Sequence, residues 1–191
     1  MKILCYGDSN TYGYDPRTFG GDRYPAQCRW ADILGQKLGC EVVNAGENGR
    51  EIPRREAELR QFDRLVANQA PVSLMIMMLG TNDLLQGNSA KCVANRMESF
   101  LRRMDLDRIC VLLVAPPPLK LGEWVPAERL IVASEVLNLE YESLARRLGV
   151  HYVDAGEWQI PLAFDGVHFT EAGHCAFAEG IHCYLNKEKI L

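Results

Sequence analysis

Five short apolar runs, at residues 2–6, 41–44, 72–79, 109–115 and 150–154, alternate with longer stretches of helical periodicity. That alternation constrains the fold more than any other feature of the chain. The third and fourth runs, Val-Ser-Leu-Met-Ile-Met-Met-Leu and Ile-Cys-Val-Leu-Leu-Val-Ala, are nearly continuous in apolar character. Strands buried on both faces have this composition, and parallel sheets covered by helices produce them. Shortness and a following Gly or Pro favour strand over buried helix. The order β-α-β-α-β-α-β-α-β-α predicts an α/β fold with three α/β/α layers around a five-stranded parallel sheet.

The intervening stretches support this reading. Residues 30–38 place Trp30, Ile33, Leu34 and Leu38 on one face and stop at Gly39, a suitable residue just past a helix end. Residues 52–68 carry Leu59, Phe62, Leu65 and Val66 in one stripe. The arginines elsewhere on that helix are interleaved with glutamates, the pattern of a solvated face rather than a basic patch. A third helix is expected over 93–104. Leu130, Ser134, Leu137, Tyr141, Leu144 and Leu148 recur at alternating spacings of four and three, predicting an amphipathic helix that ends near Gly149. The last helix is expected from Thr170, as N-cap, to the neighbourhood of Leu185.

The 191 residues, with 48% hydrophobic and 24% charged content, fit one domain spanning 1–191 that buries a core without staples. A net charge of −4 gives no electrostatic reason to expect nucleic acid or an anionic membrane as partner. No apolar stretch approaches the ~20 residues of a membrane span. Seven cysteines are scattered without a Cys-x-x-Cys, so neither a disulfide framework nor a thiolate zinc site is expected. Reduced, mostly buried thiols and a first strand that starts directly behind Lys2 lead to the expectation of a cytoplasmic protein.

Each strand end is followed by polar residues of a particular kind. Gly7-Asp8-Ser9 follows the first run, Asn44-Ala45-Gly46-Glu47-Asn48-Gly49 the second, and Gly80-Thr81-Asn82-Asp83 the third. Asp165-Gly166-Val167-His168-Phe169-Thr170 precedes the last helix. In an open α/β sheet these strand ends share one edge, where ligands bind. Gly-Asp-Ser alone is ordinary turn chemistry. Four such blocks at one edge amount to more. Acyl transfer by serine needs a hydroxyl, a base, an acid that orients the base, and donors for the oxyanion. Ser9, His168 and Asp165 are candidates for the first three. The Asn82 amide and the backbone N–H groups of Ser9 and Gly49 are candidate donors.

The four blocks, in this order, resemble the SGNH (GDSL-type) hydrolase family of esterases and acyltransferases, over nearly the whole chain from Ile3 to His174. The resemblance implies the flavodoxin-like SGNH hydrolase fold. It places the nucleophile at Ser9, the oxyanion hole at Ser9, Gly49 and Asn82, and the acid–base pair at Asp165 and His168. Gly49 rather than Gly46 matches, because the family glycine closes an Asn-x-x-x-x-Gly stretch that Asn44 opens. Asn10 departs from the leucine often found after the serine, and no catalytic role is expected there. Similarity to bacterial arylesterase/acyltransferase members lies in Thr11-Tyr12-Gly13, Arg29-Trp30, Pro116-Pro117-Pro118 and the blocks around Asn82 and His168.

The expected reaction is cleavage of small carboxylic esters, with no metal or organic cofactor. The expected partner is a small-molecule ester, and the similar acyltransferases imply a homo-oligomer, with Trp124 or residues 116–126 at the interface. Asp154 is an alternative acid, expected instead to be a loop or cap residue. His168, His174 and Asp165 are an alternative metal set, disfavoured because His174 should point away along the last helix. His174 and His182 are expected as surface or packing residues. Trp30, Tyr12, Tyr14 and Trp124 are candidates for pocket or packing. A carbohydrate or thioester deacylase, and a non-catalytic or nucleotide-binding flavodoxin-like domain, are the alternatives in function.

Overall fold

The computed structural model describes residues 1–18, 20–106 and 108–190. In chain order the elements are β1 (Lys2–Gly7), α1 (Ser9–Tyr12), α2 (Trp30–Leu38), β2 (Glu41–Gly46), α3 (Glu56–Gln69), β3 (Leu74–Met78), α4 (Thr81–Leu85), α5 (Ala90–Leu101), β4 (Cys110–Ala115), α6 (Glu128–Leu148), β5 (His151–Asp154) and α7 (Glu171–Glu188). All strand pairings are parallel, in the order β2-β1-β3-β4-β5. The expected α/β sheet is therefore present, with all five strands.

The alternation of side chains along each strand divides the core between two layers. Leu4, Tyr6, Met75, Met77, Val111 and Leu113 face Phe62 of α3, Phe100 of α5, and Leu137, Tyr141 and Leu144 of α6. Ile3, Cys5, Leu74, Ile76, Leu112 and Val114 face Trp30 and Leu34 of α2, and Phe177 and Ile181 of α7. Both faces of the three central strands are thus covered, which is why their sequences lack polar alternation.

Several boundaries differ from the expected ones. The helix anticipated from residue 52 begins at Glu56, after Pro53. There the Glu58 carboxylate accepts the backbone N–H groups of Arg54 and Arg55 at 3.1 and 2.9 Å and so caps the turn. α5 lies three residues earlier than expected because the Ser89 hydroxyl caps it through the Cys92 N–H. The short helices α1 and α4 were not anticipated. Each is barely one turn, too short to carry a periodic pattern. The cysteines also differ from expectation: all seven are free, but only Cys5 is fully buried, and Cys175 and Cys183 are exposed. Among the described residues no helix is long and apolar enough to cross a membrane.

The strand order fixes where a site can form. β1 connects outward to β2, and the chain then crosses back to β3 on the other side of β1. The carboxyl ends of β1 and β3 flank the crevice at this switch point. Ser9 follows one of these ends and Asn82 the other.

Candidate active site

Ser9 is the first residue of α1, directly behind the β1 exit. The Asp8 carboxylate caps this helix by accepting the Asn10 N–H at 3.0 Å. Asp8 is buried, and burial pushes its carboxyl up to about 6, against the pull of the Asn10 N–H and the nearby His168 and Arg50. The Ser9 Oγ lies 2.9 Å from His168 Nε2. On the other side of the imidazole, Nδ1 lies 2.7 Å from Asp165 Oδ2. Asp165 Oδ1 accepts the backbone N–H groups of Val167 and His168, both at 2.9 Å. Burial raises the Asp165 carboxyl, but the His168 ring and these two N–H groups outweigh it, and the carboxyl is held below its ordinary value. Ser9, His168 and Asp165 are thus in one hydrogen-bonded line, all nearly buried.

The third strand exit carries Asn82. Gly80 has φ +119°, and a Cβ there would meet the Tyr141 hydroxyl at 2.7 Å, so only glycine fits. That hydroxyl donates to the Leu79 carbonyl at 3.1 Å and braces the exit. Asn82 Nδ2 donates to the Arg50 carbonyl at 3.0 Å, leaving its second hydrogen available. Next to it, Asp83 accepts the Ile52 N–H at 3.0 Å and the Arg96 guanidinium at 2.8 Å. The exit loops of β2 and β3 are therefore fastened together.

Gly46 and Gly49 play different parts. A Cβ on Gly46 would lie 2.0 Å from the Tyr12 backbone nitrogen, so this glycine lets α1 pack on β2. Gly49 has φ +73° and open space at its Cβ position. No protein acceptor among the described residues takes the N–H of Gly49 or of Ser9. Asn44, which opens this segment, accepts the Gly46 N–H at 3.0 Å and donates to the Thr11 carbonyl at 2.7 Å.

The aromatic candidates separate cleanly. Trp30 is core, with its indole N–H donating to the Asn10 carbonyl at 3.0 Å. Tyr12 lies under the Arg23 guanidinium, 4.3 Å from ring centroid to Cζ. Tyr14 and Trp124 both face the His168 ring, at centroid distances of 4.6 and 4.9 Å. Trp124 is half-exposed, and its backbone N–H donates to the Asp165 carbonyl at 3.1 Å. Asp154 is a cap residue as expected, accepting the Gly156 N–H and the Asn138 amide. His174 is a packing residue, fully buried between Tyr24 and Phe169.

Two contributors were missed from the sequence. Asn10, at which no catalytic role is expected, donates to the Val167 carbonyl at 3.0 Å and accepts the Phe169 N–H at 2.9 Å, and so braces the segment that carries His168. Its partners lie 157 and 159 residues away in the chain, beyond any local signal. Arg50 is the second: its guanidinium returns to the Gly7 and Ala45 carbonyls at the ends of β1 and β2. Among the described residues one group, Glu179, His182 and Cys183 on α7, brings three ligand-type atoms within 4.8 Å of one another. The Lys37 ammonium lies 2.6 Å from that glutamate and the Asn186 amide 3.1 Å from the imidazole. The group is thus partnered within the protein and lies two turns beyond His174.

Residues 5–176 match the model of the GDSL-like lipase/acylhydrolase family. Among curated proteins none matches the chain. Solved structures similar to it include a candidate arylesterase from Agrobacterium tumefaciens, 29% identical, with a TM-score of 0.87 over 100% of this chain and 99% of that one. The native aryl esterase of M. smegmatis is 28% identical, with a TM-score of 0.84 over 97% and 98% of the two chains. A carbohydrate acetylesterase family member from Sinorhizobium meliloti is 26% identical, with a TM-score of 0.83 over 100% and 99%.

Proposed function

The chain belongs to the GDSL-like lipase/acylhydrolase family of ester-hydrolysing enzymes, and on that premise we propose that it cleaves small carboxylic esters through an acyl-Ser9 intermediate. The observation that carries this reading is the unbroken line from Ser9 Oγ through His168 to Asp165, at 2.9 and 2.7 Å. His168 Nε2 takes the hydroxyl proton as Oγ attacks the ester carbonyl. Asp165, held ionised, keeps the other ring nitrogen as the N–H tautomer and stabilises the imidazolium that forms.

Negative charge then develops on the carbonyl oxygen. The N–H groups of Ser9 and Gly49 and the free hydrogen of Asn82 Nδ2 are the donors available to it, each worth on the order of 3 kcal/mol in the transition state. His168 returns its proton to the departing alkoxide. Water, or another alcohol, resolves the acyl-serine by the same route in reverse. No step needs a metal or organic cofactor.

The half-exposed Trp124 and its neighbour Tyr14 flank the base that serves the leaving group. Flat faces of this kind suit an aryl leaving group. They equally suit the C–H face of an acetylated sugar, a second reading favoured by likeness to the S. meliloti carbohydrate acetylesterase. Seven unpaired cysteines support a reducing compartment such as the cytoplasm.

The test is hydrolysis of p-nitrophenyl esters from acetate to decanoate, beside an acetylated monosaccharide, for wild type and Ser9→Ala. Turnover that vanishes in the variant is the expected result. The chain-length profile sizes the acyl pocket, and the ratio of aryl to sugar rates separates the two substrate readings. Turnover that survives Ser9→Ala would refute the proposed nucleophile.

A further inference from the structure

We infer that Arg50 is the positioning residue of the oxyanion hole: its side chain fixes the Glu47–Arg50 turn, and its carbonyl then aims Asn82. The inference rests on the assignment of Gly49 and Asn82 as donors. Arg50 immediately follows Gly49, and its side chain turns back under the site and is only 13% exposed. Nη1 donates to the Gly7 carbonyl at 2.7 Å and also to the Ala45 carbonyl. Nη2 donates to Glu47 Oε2 at 2.6 Å. The guanidinium lies over the Tyr6 ring, 4.2 Å from its centroid.

These contacts span two strands. Gly7 is the last residue of β1, two before Ser9, and Ala45 lies at the end of β2 in register with Tyr6. One planar cation thus joins the strand that delivers the nucleophile to the strand that delivers Gly49. The turn between them is closed by Arg50 N–H to the Glu47 carbonyl at 3.3 Å and Glu47 N–H to the Gly7 carbonyl at 3.2 Å. Gly49, inside this turn, has φ +73° and no side chain of its own to anchor it. The Arg50 carbonyl, oriented by this clamp, accepts Asn82 Nδ2. Two donors, one behind β2 and one behind β3, therefore take their direction from one residue.

A lysine cannot replace this arrangement. It keeps the charge but presents a single ammonium where a planar fork meets divergent acceptors and stacks on an aromatic face. Oxyanion donors act only when placed for the transition state, so a loosened clamp lowers kcat and leaves ester binding nearly intact.

The experiment compares Arg50→Lys, Arg50→Gln, Asn82→Ala and the Arg50→Gln/Asn82→Ala double variant on p-nitrophenyl acetate. Each rate is divided by the concentration of competent sites, titrated to completion with a fluorophosphonate, so that misfolded protein does not count. Phenylboronic acid, which forms a tetrahedral adduct on serine, reports binding of a transition-state mimic. The expected result is a loss of at least ~10-fold in kcat per site for both Arg50 variants, with KM changed less than about threefold. Phenylboronate binding should weaken by a similar factor, and the double variant should lose less than the product of the single losses. Turnover per site within about twofold of wild type in both Arg50 variants, with Asn82→Ala impaired, would overturn the role of Arg50 alone. Unimpaired Asn82→Ala would instead remove the donor assignment beneath it.

Discussion

Asn10 brackets His168: its amide donates to the Val167 carbonyl at 3.0 Å and its carbonyl oxygen accepts the Phe169 N–H at 2.9 Å. The residue after the proposed nucleophile thus grips the backbone on both sides of the proposed base. The Ser9–His168 distance is set by this pair of bonds as well as by the bond between the two side chains. Asn10→Ala should therefore cost about 2 kcal/mol of stability, from two buried hydrogen bonds lost. It should also lower kcat by at least ~10-fold through misplacement of the imidazole. Urea denaturation and p-nitrophenyl acetate kinetics check the two effects separately.

Asp8 makes the fold sensitive to pH in one direction. Burial raises its carboxyl from 3.8 to about 6, so the fold favours the protonated form. The contribution of Asp8 to stability is complete below about 3.8 and is lost as pH rises through 6. Asp8→Asn keeps an acceptor for the Asn10 N–H and removes the ionisation. It should stabilise the protein at pH 8 by on the order of 2 kcal/mol and change little at pH 4. Thermal melts of the two proteins across that range are the measurement.

His174 acts in the opposite direction. Burial lowers it from 6.5 to about 3, with the neighbouring His168 and Arg29 adding to the effect. The neutral form is the native one, so its contribution is present above 6.5 and is lost as pH falls towards 3. The loss should proceed at up to about 1.4 kcal/mol per pH unit. His174→Gln should flatten the acid limb of the stability profile, measured as the urea midpoint between pH 7 and 4.

Trp124 tests the flanking aromatic face. Its backbone bond to the Asp165 carbonyl survives substitution, so Trp124→Ala leaves the acid–base pair in place. The variant should lose about 10-fold in kcat/KM towards phenyl acetate and far less towards ethyl acetate, because only the former presents a ring. Equal losses on both esters would show that the tryptophan supports the site without selecting a leaving group.

The parts of the fold legible in the sequence were those with dense local patterns. The apolar run at 109–115 could be read as a buried central strand, and the Leu130-to-Leu148 seam as the inner face of α6, because each element writes its own burial into its residues. Ser9, Asn82, Asp165 and His168 were readable because each lies in a short polar block, behind β1, behind β3 or before α7, whose residue types and order match the family pattern. Asn10 was not, since its partners lie 157 and 159 residues away, and Arg50 was not, since the contacts that tie it to β1, with Gly7 and Tyr6, leave no spacing to detect. The start of α3 was missed for a related reason: Glu58 caps the turn through backbone groups that apolar periodicity does not reveal.

The central claim is that Ser9 carries the acyl group, and the most direct measurement is mass spectrometry of protein quenched during turnover of p-nitrophenyl acetate. The expected result is one added acetyl group on the peptide containing Ser9, accumulating further in an Asp165→Asn variant only if deacylation is slowed more than acylation. No adduct is expected in Ser9→Ala. Hydrolysis that proceeds with no acetyl group on Ser9 at any quench time, or an adduct on another residue that turns over at the catalytic rate, would contradict it.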